Sequence, residues 1–430
     1  MMPKPRKTNA LKNKSSKNKA IKFALVSALL SSGLAAAQTT LTVAAFPSLD
    51  SSIKAIIPAW NKLHPDVTIK LQAQEFADHH NAMTTALATG QGLPDVMALE
   101  ISYVGKFAEG KGLENLDKAP FNAGALKKLI TPFTIAQATS SDGRFVAMPT
   151  DIGPGTFFYR KDVLDKAGVN PASMDKSWED YIAAGKIIKA KTGASLISNA
   201  VSVFNIVART NLKDGEGIYF DNKNNLLVDS NNPRFVRAMT LAKDVRKSGL
   251  DSKIGEWSNE WFDAFKKGTV ATQFSGAWLQ GALQSYMAPD TKGLWRVQNL
   301  PEGGYAPWGG SFYAIPTTSK NKAMAWEFIK FMTTQDISQI TAFEDNGAFP
   351  ALLTAQDNKA FNDPVPFLGG QKARLLWRDA ARKTKPVSVN KYDSVADSII
   401  QTELSKVLEQ NKDIKVALAD ARKQILRRAR

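Results

Sequence analysis

Apolar periodicity switches four times between residues 41 and 99, and this alternation limits the fold more than any other feature of the chain. Residues 41–46 read as a buried strand ended by Pro47, and Ile53, Ile56, Ile57 and Trp60 then fall on one face at helical spacing. Pro58 is expected to kink or delay that helix, because it lacks the N–H that would bond four residues back. Val67, Ile69 and Leu71 alternate as a strand, and Phe76, His80, Met83 and Leu87 stripe a second helix that stops at Gly90 to Gly92. Residues 93–99 form a third strand opened by Pro94. Strand, helix, strand, helix, strand predicts an α/β layer with parallel pairing.

The texture changes after Arg144. Residues 145–159 read as extended but are interrupted by Pro149, Gly153, Pro154 and Gly155, which predicts a crossing between domains near Pro149. Residues 178–267 are mainly helical with a turn-rich piece at 215–229, and residues 269–274 form a strand before Gly276. A second broken extended stretch, 295–316, predicts another crossing near Asn299. The end is helical, with stripes at Ala325, Phe328, Ile329 and Met332 and at Ile414, Leu418, Ala421 and Ile425. Two crossings divide the chain into a first lobe of residues 38–149 with 299–318 and a second of 150–298 with 319–430, leaving a cleft between them.

The residues before this region carry an address. Eight basic residues lie between Lys4 and Lys22 with no acidic one, followed by the uncharged stretch 23–37, in which Ala35 and Ala37 fit a small-residue cleavage rule. The apolar stretch is shorter than the about 20 residues that span a bilayer. Residues 1–37 are therefore expected to be a cleaved signal peptide, which leaves Gln38 first and lowers the net charge from +16 to +8. The remaining basic end, Arg422, Lys423, Arg427, Arg428 and Arg430, reads as a solvated helix end, and no nucleic-acid partner is expected of an exported chain. With no cysteine there is no acylation site for a lipid anchor, no disulfide and no thiol chemistry. A soluble, unanchored, extracytoplasmic monomer follows.

Catalytic motifs are sparse. His64, His79 and His80 are the only histidines, and the adjacent pair diverges on a helix, so no metal site is expected. There is no G-x-S-x-G elbow, and Gly153/Gly155 and Gly215/Gly217 lack the rest of a phosphate-binding pattern, so no cofactor is expected. Glu100, just past a strand, and Asp151, at the first crossing, could act as a glycosidase pair or accept hydrogen bonds from sugar hydroxyls. Trp257, Trp261, Trp278, Trp295, Trp308 and Trp377 crowd the second half, and Trp278 and Trp308 adjoin glycines. A sugar needs flat aromatic platforms with convergent polar groups, and glycine lets backbone come close to a ligand. Core packing is the competing account for each indole.

Six stretches in a fixed order resemble the family 1 extracellular solute-binding proteins of ABC importers, which include maltose-binding protein. They are 57–66 (Ile-Pro-Ala-Trp-Asn-Lys-Leu-His-Pro-Asp), 88–96 (Ala-Thr-Gly-Gln-Gly-Leu-Pro-Asp-Val), 143–149 with 158–162, 265–271 leading to Ser-Gly-Ala-Trp at 275–278, 309–316 before 325–331, and 346–350. The resemblance implies a type II periplasmic-binding-protein fold: two α/β lobes, each a mixed sheet flanked by helices, joined by hinge strands. It implies capture of a sugar, an oligosaccharide in particular, and delivery to the permease subunits of an ABC transporter. It places ligand contacts on Trp278, on Glu100 and Tyr103 after the third strand, on Asp151, and on Trp308, Gly309 and Gly310. Residues 367–371 with Trp377 look like a feature of oligosaccharide-binding members, and Trp257 and Trp261 complete the set of candidate aromatic contacts. The first loop, Phe46-Pro-Ser-Leu-Asp50, departs from the tryptophan-bearing loop of many maltose binders, which argues against maltose. A secreted glycoside-active enzyme, or the same fold holding a glycerol phosphodiester, polyamine or peptide, are the alternatives. A phosphate ligand calls for cleft arginines, and among these motif loops only Arg160 offers one.

Overall fold

The computed structural model describes residues 38–429; the expected signal peptide and Arg430 lie outside them. The chain builds two sheets. The first has six strands in the order β10-β4-β9-β3-β1-β2, comprising β1 (Thr39–Ala45), β2 (Val67–Ala73), β3 (Val96–Glu100), β4 (Ala147–Pro154), β9 (Pro307–Ala314) and β10 (Phe349–Pro350). The second has four, in the order β6-β7-β5-β8, comprising β5 (Thr156–Arg160), β6 (Ser195–Ile197), β7 (Val270–Ser275) and β8 (Trp295–Gln298).

The alternation read from residues 41–99 forms the parallel part of the first sheet. β1 pairs in parallel with β2 and β3, and the helices Leu49–Leu63 and Phe76–Thr89 make the crossovers. Pro58 does not delay the first helix, which runs through it; the proline sits on the exposed face, where the carbonyl it leaves unpaired meets water. Gly90, at φ 70°, ends the second helix in the left-handed conformation that glycine adopts without a Cβ clash. β9 then inserts antiparallel between β3 and β4.

The first crossing falls at Gly155, between β4 in one sheet and β5 in the other, a few residues beyond Pro149. Gly155 is required there, since a Cβ would come within 2.6 Å of the Ala306 carbonyl oxygen on the neighbouring crossing segment. The return passage lies between β8 and β9.

The expectation that residues 319–430 all join the second lobe is corrected. The helices Lys322–Thr334 and Asp336–Asn346 pack on the first sheet, because the stripe Ala325, Phe328, Ile329 and Met332 matches the apolar face of Leu49–Leu63. Phe328 meets Trp60 edge-on at 5.2 Å, and the Asn346 amide donates to Ser51 at 2.8 Å and Ser52 at 2.7 Å. The chain passes between the sheets once more after β10. Its last two helices, Asp393–Glu409 and Ile414–Arg428, bury Ile399, Ile400, Leu404, Leu418 and Ile425 in the core of the second sheet.

Candidate functional site

The carboxyl ends of β3 and β7 and the glycine-rich start of β9 converge on the gap between the sheets. β3 ends at Glu100, whose Oε2 accepts from the Ser102 N–H at 2.7 Å and caps the helix Ile101–Glu109. Tyr103 lies within the first turn, stacked on His80 at 3.9 Å with planes 14° apart. His80 donates through Nδ1 to the Phe76 carbonyl, which leaves Nε2 to accept the Glu100 N–H at 3.2 Å. Burial holds His80 neutral and lowers its pKa to about 4. The buried histidine pair thus fixes the corner that carries Glu100 and Tyr103.

On the other side, β7 runs into Gly276, Ala277 and the short helix Trp278–Ala282. The Trp278 indole N–H donates to the Trp308 carbonyl at 2.9 Å, tying this helix to β9. A Cβ on Gly276 would come within 2.4 Å of that carbonyl and 2.6 Å of Trp278 Nε1, and one on Gly309 within 2.9 Å of Nε1. Only glycines let the indole lie against the backbone. Trp257 covers Trp278, is 56% exposed, and holds a positive φ of 68°. An exposed tryptophan in a sparsely populated backbone region marks a site rather than a core.

Two tryptophans are corrected. Trp261 is 1% exposed and points its indole N–H at Gln273, and Trp377 is 0% exposed and donates to Thr156. Both lie in the core and offer no face to a ligand, as the competing account of core packing has it. Trp295 is likewise buried on Thr291. Arg160 is spent on Asp162 and the Phe265 carbonyl, a structural role.

Sequence reasoning missed a polar wall on the second lobe. The helix Ala200–Val207 presents Ser202 and Asn205 on one side, with Arg209 just past its end. Spacings of three and four residues were the available signal, hidden by an otherwise apolar segment. Glu256 accepts from Ser202 at 2.6 Å and from Gln273 at 2.9 Å, and Asn205 accepts from Gln401 at 2.8 Å. The Arg209 guanidinium lies over the Trp308 ring at 5.3 Å, so one face of Trp308 is occupied.

Burial raises the carboxylates around this wall. Glu100 rises to about 7, with the Arg209 charge opposing and the Asp151 charge adding to the effect of burial. Asp393 rises to about 7, and Asp151, hydrogen-bonded to Ser311, to about 6. Groups that give up ionisation this readily suit donors and acceptors for hydroxyls better than fixed charges. The two sides touch: a Cβ on Gly105, in the helix after Glu100, would come within 3.0 Å of Val389 Cβ beside the second lobe's last helices.

Comparison with known proteins agrees with this architecture. The sequence matches the family described as bacterial extracellular solute-binding protein over residues 45–338. The arabinooligosaccharide-binding protein of Bacillus subtilis is 29% identical over 315 residues, covering 68% of this chain and 69% of that protein. The lactose-binding protein of Rhizobium radiobacter is 28% identical, covering 74% and 75%. A crystal structure described as an extracellular solute-binding protein of family 1 superposes with a TM-score of 0.78 at 26% identity, covering 91% of this chain and all of that one. Two sheets joined by crossing strands, a cleft walled by both, and a family match across most of the chain lead to one assignment: the protein belongs to the bacterial extracellular solute-binding protein family.

Proposed function

We propose that the protein captures a saccharide in the cleft between its lobes, outside the cytoplasm, and delivers it to the permease of an ABC transporter without chemically changing it. The observation that carries this reading is the convergence at Trp278: an indole anchored on backbone, glycines that bring main chain alongside it, and polar groups arriving from both sheets. A sugar ring has apolar C–H faces and a rim of hydroxyls, and this arrangement serves both. Relatives that bind arabinooligosaccharides and lactose support a sugar over other solutes.

In this reading the ring stacks on Trp278, while Glu100, Tyr103, Asp151 and the backbone at Gly309 and Gly310 meet its hydroxyls from the first lobe. Ser202, Asn205, Glu256 and Asp393 meet them from the second. The first lobe then comprises residues 38–154 with 307–350, and the second residues 156–298 with 393–429. The chain works as a monomer exported by residues 1–37. Glu100 serves as a helix cap as well as a ligand contact, a structural use that a catalytic acid does not need.

The test is titration of the mature chain, freed of bound solute, with arabino-oligosaccharides, lactose and galacto-oligosaccharides while tryptophan fluorescence is followed. Saturable one-to-one binding with the sugar recovered intact is the expected result. Silence across the panel removes the sugar reading, and turnover of a chromogenic glycoside that is lost in Glu100→Gln establishes the enzyme.

A further inference from the structure

Beside the cleft lies a cavity of about 530 Å³, walled by three separate stretches of chain. Arg209, Lys213 and Asp214 come from the segment after the Ala200–Val207 helix, Tyr305 from the crossing segment before β9, Lys383 from the end of the helix Ala373–Lys383, and Lys385 from the linker beyond it. Pockets that hold a drug-sized ligand measure roughly 300–1,000 Å³, so the space is ample for one or more sugar units. Its charge is one-sided: four cations against a single acid.

Two of the lysines are loosely held. Lys385 meets Asp214 at 3.1 Å, and Lys383 meets Asp379 at 2.9 Å and the Tyr305 hydroxyl at 3.2 Å, all as exposed contacts that rearrange at little cost. Lys213 and Arg209 form no ion pair among the described residues. Arg209 is half-buried, and among the described residues its one hydrogen bond runs from Nη1 to the Asn205 carbonyl at 2.8 Å. Among the described residues the rest of its fork has no hydrogen-bond partner, and the Trp308 ring packs on the guanidinium. A planar, immobilised guanidinium with open donors is the side chain best matched to a carboxylate, sulfate or phosphate.

The cavity adjoins the start of β9 through Pro307, which lines it next to Trp308. The Trp278 indole N–H donates to the Trp308 main-chain carbonyl, and the Trp308 ring faces Arg209, which lines the cavity, so β9 and Arg209 link the stacking platform to the cavity. We propose that the cavity seats an anionic group carried by the ligand, so that the captured solute is an acidic saccharide bearing a carboxylate, sulfate or phosphate. This rests on the sugar reading above. Nearby Glu100, Glu256 and Asp393 feel the Arg209 charge but form no ion pair with it, and burial keeps Glu100 and Asp393 largely protonated below neutral pH.

Calorimetric titration of the mature, solute-free protein with trigalacturonate, with its neutral counterpart galactotriose and with inorganic phosphate tests the proposal. Trigalacturonate is expected to bind at least about tenfold more tightly than galactotriose, with the advantage shrinking between about 50 and about 300 mM salt. Arg209→Gln should remove about tenfold or more of the trigalacturonate affinity, and separately the exposed pair Lys213→Ala with Lys385→Ala should do the same while moving galactotriose by less than about twofold. The surface pair keeps the test valid should Arg209→Gln fold poorly. Equal or tighter binding of galactotriose overturns the acidic-saccharide proposal and leaves the sugar reading standing. Phosphate binding that is lost in the lysine pair, with no response to either saccharide, supports the anion seat and removes the sugar reading. Absence of any anion effect overturns the proposal.

Discussion

Trp257 lies over Trp278 with ring centroids 5.4 Å apart and planes 19° apart. A sugar ring held between two indoles needs a van der Waals contact on each side, about 7 Å in all, so this spacing admits none. Trp257 must swing aside for a ring to stack on the face of Trp278 that it covers. Trp278→Ala is expected to weaken saccharide binding by about 100-fold, the scale of a central aromatic anchor. Trp257→Ala should instead speed association several-fold, as read by stopped-flow titration. A slower association in Trp257→Ala would show that Trp257 recruits the ligand.

Gly309→Ala sets a side chain against the platform. The residue has φ 87°, and its new Cβ would stand 2.9 Å from Trp278 Nε1. A loss of about 1–3 kcal/mol in urea denaturation is expected from the backbone conformation, together with weakened ligand binding from the displaced indole. Gly90→Ala serves as the control: its φ of 70° is similar, but no atom lies within 4 Å of the added carbon, so it should cost stability without touching affinity.

Stability should respond to pH through the cleft. Glu100, Asp151 and Asp393 have their pKa values raised to about 7, 6 and 7 by burial, whereas in the unfolded chain they ionise near about 4. Between those limits the folded protein keeps protons that the unfolded chain releases, so their contribution falls as pH rises from about 4 to 7 and is flat above. His79 and His80, lowered by burial, act oppositely: the unfolded chain takes up their protons first, so stability drops as pH falls below about 6.5. Glu100→Gln preserves the cap and should flatten the fall in melting temperature between about pH 5 and 7. An unchanged slope would place the Glu100 carboxyl in contact with water.

Far from the cleft, Glu403 is fully buried and accepts from Lys406 at 2.7 Å, Lys412 at 2.6 Å and Gln424 at 3.0 Å, binding together the last two helices. Removing Glu403 takes from Lys406 its partner and from Gln424 its acceptor, while Lys412 keeps Asp420 at 2.6 Å. Glu403→Ala is expected to cost about 3 kcal/mol by chemical denaturation while leaving affinity for saccharide unchanged. A comparable loss of affinity would mean that the terminal helices support the cleft directly.

Much of this architecture was legible in the sequence wherever local periodicity and local packing coincide. The strand and helix switches of residues 41–99 form a sheet because each amphipathic segment covers its immediate neighbour. The stripe at Ala325, Phe328, Ile329 and Met332 was equally visible as a helix. Its partner, the face of Leu49–Leu63, lies some 270 residues away in sequence, and nothing local says which lobe it covers. Indoles present the same difficulty. Trp278 and Trp377 were both candidates, but only the tertiary fold sets one against the Trp308 carbonyl and buries the other on Thr156. Arg209 escaped notice because a single basic residue after an apolar helix has no signature until Trp308 arrives across the crossing.

The insertion of β9 between β3 and β4 governs the order in which the molecule can come together. Its strand begins at Pro307, so the first sheet remains split into two unpaired halves until three-quarters of the chain has been made. A chain ending before that strand leaves both flanking edges without a partner, and no contiguous cut isolates either lobe. Such late closure leaves the native core of the first sheet incomplete until β9 has been made.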